Sequence, residues 1–141
     1  MKTKISQAVI GGIVATLAMT MVMFLAPYMG LPKMNAAAML SMMMGVPVLI
    51  GWGLHFMIGI VFALAFLFLF VPILKKVKSR VVKGVIFGLS VFIFAQLMMA
   101  VMSLIFGGMN SPSGSMVLIL TGGIIGHVIY GIVVSIFAGA D

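Results

Sequence analysis

Four long apolar segments, separated by short stretches rich in charged residues, glycine, proline or serine, dominate the pattern of hydrophobic and polar positions along this chain. A helix of about 20 residues crosses the roughly 30 Å hydrocarbon core of a bilayer. Each of the four apolar segments reaches that length. The pattern therefore predicts four transmembrane helices, over residues 5–26, 48–74, 84–106 and 116–138.

A shorter apolar run lies between the first two predicted spans. Asn35 is a favourable N-cap for a helix over residues 36–44, and Gly45 followed by Pro47 ends that helix. A helix of this length is too short to cross a bilayer. We therefore predict a short interfacial helix lying against the bundle, and the fold class is an all-α polytopic membrane protein.

The composition supports a membrane location and narrows the chemistry. The chain is 65% hydrophobic and 6% charged, with a mean hydropathy of +1.43, which is typical of an integral membrane protein. It contains no cysteine, and Asp141 is its single carboxylate. Thiolate catalysis, paired carboxylates and a Ser-His-Asp triad are therefore excluded within one chain. This composition predicts a protein that is not an enzyme.

The basic residues lie at the ends of the apolar segments. Five of them, Lys75, Lys76, Lys78, Arg80 and Lys83, fall between the second and third spans. Lys2 and Lys4 precede the first span, and Lys33 stands alone on the other side. Cytoplasmic loops carry the excess of lysine and arginine, so both termini and the 75–83 loop are predicted to be cytoplasmic. The expected partner of these charges is the lipid bilayer and not nucleic acid.

Both histidines of the chain stand inside predicted spans, in the pattern G-x-x-x-H-x-x-x-G. Residues four apart lie almost above one another on a helix, so each histidine shares its face with two glycines. The residues are Gly51, His55 and Gly59 in the second span and Gly123, His127 and Gly131 in the fourth. We expect another group to approach each histidine closely on this face.

The two patterns are 72 positions apart, and so are Gly12 and Gly84 near the starts of the first and third spans. This spacing predicts an internal repeat of two helical hairpins, residues 1–72 and 73–141, within a single membrane domain. Two copies with two spans each have the same orientation in the bilayer, related by a pseudo-twofold axis along the membrane normal. His55 and His127 should then lie at similar depth.

Several roles for the histidine pair remain open from the sequence. A buried imidazole bonded to a neighbouring helix needs no ligand, and glycines at this spacing favour close helix packing. Two imidazoles at equal depth also suit a metal ion or haem b, with Trp52 and Tyr130 at the edges of the macrocycle. Gln96, in the third span, is either an interhelical hydrogen-bonding residue or a donor to the same site.

Two further hypotheses place the histidines on the pathway of a small transporter or channel, or make the chain an accessory subunit of a larger membrane complex. Because the chain is small, a pathway requires assembly with copies of itself, whereas an accessory role requires other membrane subunits.

Methionines make the predicted short helix a separate candidate for chemistry. Met39, Met42 and Met43 lie on one face of it, and thioethers are suitable ligands for Cu(I). Methionine also fills irregular apolar gaps, and it occurs in all four predicted spans. The sequence leaves both interpretations open.

Parts of the chain resemble a family of small four-span bacterial membrane proteins of unknown function. The resemblance rests on residues 12–20, 26–35, 51–59 and 126–131, whereas the third span matches little beyond its hydrophobicity. It implies a location in the bacterial cytoplasmic membrane, and it implies no activity and no site residues.

Overall fold

The computed structural model describes residues 2–106 and 115–138, and these residues form helices joined by short turns, with no β-strand among them. Residues 107–114, between the third and fourth predicted spans, and the carboxylate of Asp141 lie outside the described residues. The helices are α1 (Lys2–Leu25), α2 (Ala36–Met44), α3 (Val48–Ala65, continued by Phe66–Phe70 and Val71–Ile73), α4 (Arg80–Phe106) and α5 (Met116–Ala138). Four of these, α1, α3, α4 and α5, are long and apolar enough to cross a membrane, which confirms the predicted fold class.

Local signals set the boundaries of α2. A short 3₁₀ turn, Ala26–Met29, follows α1 and ends at Gly30, whose φ of 80° favours glycine. The side-chain oxygen of Asn35 then accepts a hydrogen bond from the Ala38 amide at 3.0 Å, so Asn35 is the N-cap as predicted. Gly45, with φ 62°, closes the helix in the left-handed conformation.

Helices α3 and α4 differ from regular transmembrane helices in two ways that the hydropathy pattern does not predict. In α3 the backbone is π-helical over Phe66–Phe70. The α4 helix begins at Arg80 rather than at residue 84, because the Ser79 hydroxyl accepts a hydrogen bond from the Val82 amide at 3.3 Å. The last basic residues of the inter-span cluster are therefore helical.

In each hairpin, the two helices come into close backbone contact at a glycine near the start of the first helix. A Cβ atom built on Gly12 of α1 would lie 2.9 Å from Ile60 Cα of α3, and one on Gly84 of α4 would lie 2.5 Å from Ile132 Cα of α5. These two contacts are related by the same 72-residue spacing as the histidine patterns. The backbones of each helix pair therefore touch at corresponding positions.

Between the hairpins the packing is unequal. Helix α1 packs along both α3 and α5, and α4 packs along α5. Helices α3 and α4 meet mainly through phenylalanine rings, such as Phe66 and Phe87 with centroids 4.9 Å apart. An apolar cavity of about 210 Å³ lies between them. A twofold axis would give α3 and α4 the same close contact as α1 and α5, so the contacts differ from the predicted pseudo-twofold arrangement.

Candidate functional site around the histidines

His55 lies half-buried on the face of α3 that meets α1. Its Nε2 atom is 3.2 Å from the hydroxyl oxygen of Thr20, on α1. The Trp52 ring, one turn earlier on α3, stands edge-on to the imidazole with centroids 6.1 Å apart, and it stacks on Phe24 of α1. The imidazole is thus held by a hydroxyl across the helix interface and by aromatic rings beside it.

A small recess lies next to His55, between α1, α2 and α3. Its volume is about 20 Å³. A cavity needs at least about 10–15 Å³ to hold a water molecule, so this recess has room for one water or one ion. The polar residues of its lining are Thr20, Asn35, Trp52 and His55, and the side chains of Met19, Met23 and Met34 border the same space.

His127 has different surroundings. One of its ring nitrogens, Nδ1, lies 2.8 Å from the Gly123 carbonyl oxygen, one turn earlier on α5, and donates a hydrogen bond to it when it carries the proton. Its ring stands edge-on to Phe92 of α4, with centroids 5.5 Å apart. The recess beside His55 is not lined by His127. His55 therefore borders this recess without His127.

Tyr130 links the two histidine-bearing helices. Its hydroxyl donates a hydrogen bond to the Gly59 carbonyl oxygen, which joins α5 to α3. His127 precedes Tyr130 by about one turn, and His55 precedes Gly59 by about one turn. Because α3 and α5 have the same direction in the alternating series of spans, this bond places the histidines at similar depth.

Neighbouring atoms fill the space above the four glycines that flank the histidines. A Cβ on Gly51 would overlap the Ala37 carbonyl oxygen of α2, and one on Gly59 would overlap the Thr16 hydroxyl of α1. On α5, a Cβ on Gly123 would come within 2.9 Å of the Phe92 ring. A Cβ on Gly131 would overlap the Gly84 carbonyl oxygen of α4. All four glycines serve close packing between helices.

The close helix packing at these glycines determines whether haem b fits between His55 and His127. Pockets that enclose a large organic ligand measure about 300–1,000 Å³, and the recess at His55 is far smaller. The four glycines that flank the histidines face other helices and leave no space for a macrocycle there. The described residues therefore do not fit a haem b held by His55 and His127. Among those residues, no three His, Cys, Asp or Glu side chains are grouped as metal ligands.

The remaining predicted residues have separate positions. Trp52 borders the recess, and Tyr130 joins two helices as described. Gln96 is half-buried on α4 and makes no side-chain hydrogen bond within residues 2–106 and 115–138. Sequence reasoning missed Thr20 and the methionines of the recess. Thr20 is one of the few polar residues of α1, but nothing in its spacing from His55 indicates that the two meet.

A family model described as a family of unknown function (DUF6789) matches residues 2–140. No curated protein and no solved structure matches the chain. This match confirms the resemblance to a family of unknown function, and it extends over the third span, where the sequence resembles the family little beyond its hydrophobicity.

Proposed function

Because the chain belongs to this family of unknown function, we propose a role from its own residues: it is a non-enzymatic integral membrane protein that binds an ion-sized ligand beside His55. The observation that carries this proposal is the recess itself. It brings an imidazole, a hydroxyl, a carboxamide and an indole to one small space inside an otherwise apolar bundle. An intramembrane ionisable residue that borders such a space is a usual mark of a ligand or ion site.

The two histidines have different roles in this proposal. His55 borders open space and bonds to a hydroxyl that a ligand can replace. His127 bonds to the carbonyl of its own helix and packs on Phe92 of α4, which is the pattern of a structural residue. The ligand-binding function therefore depends on His55, whereas His127 stabilises the second hairpin.

Ion-dependent stabilisation tests the proposal. A ligand that binds only the folded state raises the free energy of unfolding by about 2.7 kcal/mol at a concentration of 100 times its dissociation constant. We expect at least one ion from the panel Na⁺, K⁺, Cl⁻, Zn²⁺ and Ag⁺ to raise the thermal midpoint of the purified chain in detergent. The increase should disappear in His55→Phe.

The matched control for that experiment is His127→Phe. This variant should lower the midpoint without ion, because it removes a hydrogen bond and an aromatic contact, but the ion should still raise it. If no ion of the panel gives an increase that depends on His55, the recess has no ligand of this size and the proposal is wrong.

We also propose that the protein lies in the bacterial cytoplasmic membrane with both termini and the 75–83 loop on the cytoplasmic side. The described helices put the basic loop at the same end of the bundle as the start of α1, and Lys33 at the opposite end. That distribution of lysine and arginine favours the cytoplasm for the basic end.

Single cysteines test this orientation directly, since the chain has none of its own. Lys33 and Lys78 are both exposed. In intact cells, a membrane-impermeant maleimide should label Lys33→Cys and leave Lys78→Cys unlabelled until the membrane is permeabilised. Labelling of Lys78→Cys alone in intact cells would reverse the orientation.

A further inference from the structure

Three methionines from different parts of the chain meet at the recess beside His55. Met19 and Met23 come from α1, and Met34 comes from the segment that leads into α2. Met19 and Met23 are buried, with 8% and 9% of their surfaces exposed. Three methionine side chains and one histidine side chain therefore border a space that has the size of a single ion.

These methionine side chains pack against two glycines of α5. A Cβ on Gly126 would overlap the methyl group of Met23 and lie 3.4 Å from Met19 Cγ, and a Cβ on Gly122 would overlap the methyl group of Met34. Gly122 and Gly126 are one turn apart on the same helix face. The three methionine side chains thus pack on the glycine face of α5, and His55 reaches the recess from α3.

The donors of the recess select a class of ligand. Thioether and imidazole ligands are soft or intermediate and carry no charge, whereas Mg²⁺, Ca²⁺ and Mn²⁺ prefer carboxylate and carbonyl oxygens. The single acidic residue of the chain is the terminal Asp141. A divalent ion would therefore keep its full charge in an apolar setting, and the nearby N-terminus of α2 adds a partial positive charge. Among cations, a monovalent soft ion suffers least from both effects.

From these observations we propose that the recess binds Cu(I) through the thioethers of Met19, Met23 and Met34 and the imidazole of His55. The proposal rests on the function proposed above and names its ligand. The Nε2 atom of His55 is the donor, since it faces Thr20 on the wall of the recess. On binding, Cu(I) takes the place of the Thr20 hydroxyl at that nitrogen.

The methionine face of α2 is the competing copper site. Met42 is 77% exposed there, and Met39 and Met43 are half-buried. Met39, Met42 and Met43 do not line the recess that His55 borders. The recess offers a nitrogen donor and two buried thioethers, so we expect it to bind Cu(I) more tightly.

Competition for Cu(I) with the coloured chelator bicinchoninate, under ascorbate, tests the proposal on the full chain in detergent. We expect one Cu(I) per chain to move from the chelator to the protein. Met23→Leu, Met34→Leu and His55→Phe each remove a proposed ligand and should weaken binding by at least about 10- to 100-fold, the loss usual for residues that only support a ligand. Met42→Leu and Met98→Leu, at exposed methionines, are the matched controls and should bind normally.

Thr20→Val separates a ligand role from a structural role of His55. Loss of the hydroxyl removes the bond between α1 and the imidazole but also removes the competitor for its nitrogen. Thr20→Val should therefore lower the thermal midpoint and bind Cu(I) at least as tightly as the native chain. Weaker Cu(I) binding by Thr20→Val than by the native chain would contradict the proposal. It would show that His55 supports binding only through its bond to Thr20 and is not itself a ligand.

The outcomes distinguish the two proposals. Stabilisation by Zn²⁺ or Cl⁻ that depends on His55, without transfer of Cu(I), keeps the ion-binding function and overturns the copper assignment. Transfer that survives Met23→Leu and His55→Phe but is lost in a variant lacking Met39, Met42 and Met43 assigns copper to α2 and also overturns it. An X-ray absorption spectrum with sulfur and nitrogen around copper, and no nitrogen in His55→Phe, supports the proposed site.

Discussion

Replacing Gly131 by alanine is expected to lower the free energy of unfolding by about 3 kcal/mol, the upper part of the usual range for overpacking a core. The new Cβ would overlap the Gly84 carbonyl oxygen and lie 2.6 Å from the Gly88 amide nitrogen, both in the backbone of α4. Backbone atoms cannot rotate away as the end of a side chain does, so α4 and α5 must separate. Reversible unfolding in mixed detergent and SDS micelles, followed by circular dichroism, measures the change.

Gly53→Ala is the control, since it introduces the same methyl group into a span. No atom lies within 4 Å of a Cβ at Gly53. Alanine favours the helix over glycine by up to about 1 kcal/mol, so this variant should be neutral or slightly stabilised. Gly12→Ala should fall between the two, with Ile60 Cα 2.9 Å from the added atom. Equal stability of the Gly131→Ala and Gly53→Ala proteins would show that α4 and α5 do not touch there.

These glycines also show what the sequence determines and what it does not. The spacing of Gly51 and Gly59 about His55 correctly predicts a face open to close approach. The approaching groups turn out to be the Ala37 carbonyl of α2 and the Thr16 hydroxyl of α1. The glycine spacing predicts that another group can approach this helix face closely, but only the three-dimensional arrangement shows which group does.

The helices themselves follow from the sequence because length and hydropathy are enough to define a span. Their rotation does not, because lipid and protein interior are equally apolar and a transmembrane helix needs no polar face. Leu17 and Ala15 of α1 illustrate this: both are apolar, yet Leu17 is 47% exposed and Ala15 is fully buried. The meeting of Thr20 with His55, and of three methionines beside them, depends on this rotation and was therefore missed.

The π-helical segment of α3 has a local signal as well as a tertiary one. Phe66–Phe70 contains only phenylalanine and leucine, but Pro72 follows in the same helix and cannot donate a hydrogen bond to the carbonyl of Phe68, four residues earlier. Its position coincides with the place where Phe66 and Phe70 pack around Phe87 of α4. The backbone change is thus associated both with Pro72, which the sequence shows, and with ring packing between the hairpins, which it does not.

Tyr130 gives the second large effect, because it combines a buried ring with a hydrogen bond between the hairpins. Only 4% of its surface is exposed, and its hydroxyl donates to the Gly59 carbonyl oxygen of α3. Tyr130→Phe keeps the ring and should cost about 1 kcal/mol, the usual value for a hydrogen bond between membrane helices. Tyr130→Ala also leaves a cavity beside Phe87 and should cost about 3–5 kcal/mol.

Tyr28, the other tyrosine of the chain, is the matched control for both substitutions. It lies in the turn after α1 and is 89% exposed, so Tyr28→Phe and Tyr28→Ala should leave the unfolding free energy within about 0.5 kcal/mol of the native value. If Tyr130→Phe proves equally silent, the hydroxyl does not join α5 to α3, and the similar depth of the two histidines loses its support. A loss of unfolding free energy in the Tyr130 variants, without one in the Tyr28 variants, would show how Tyr130 acts. The residue predicted to border a macrocycle would instead hold the two histidine-bearing helices in register.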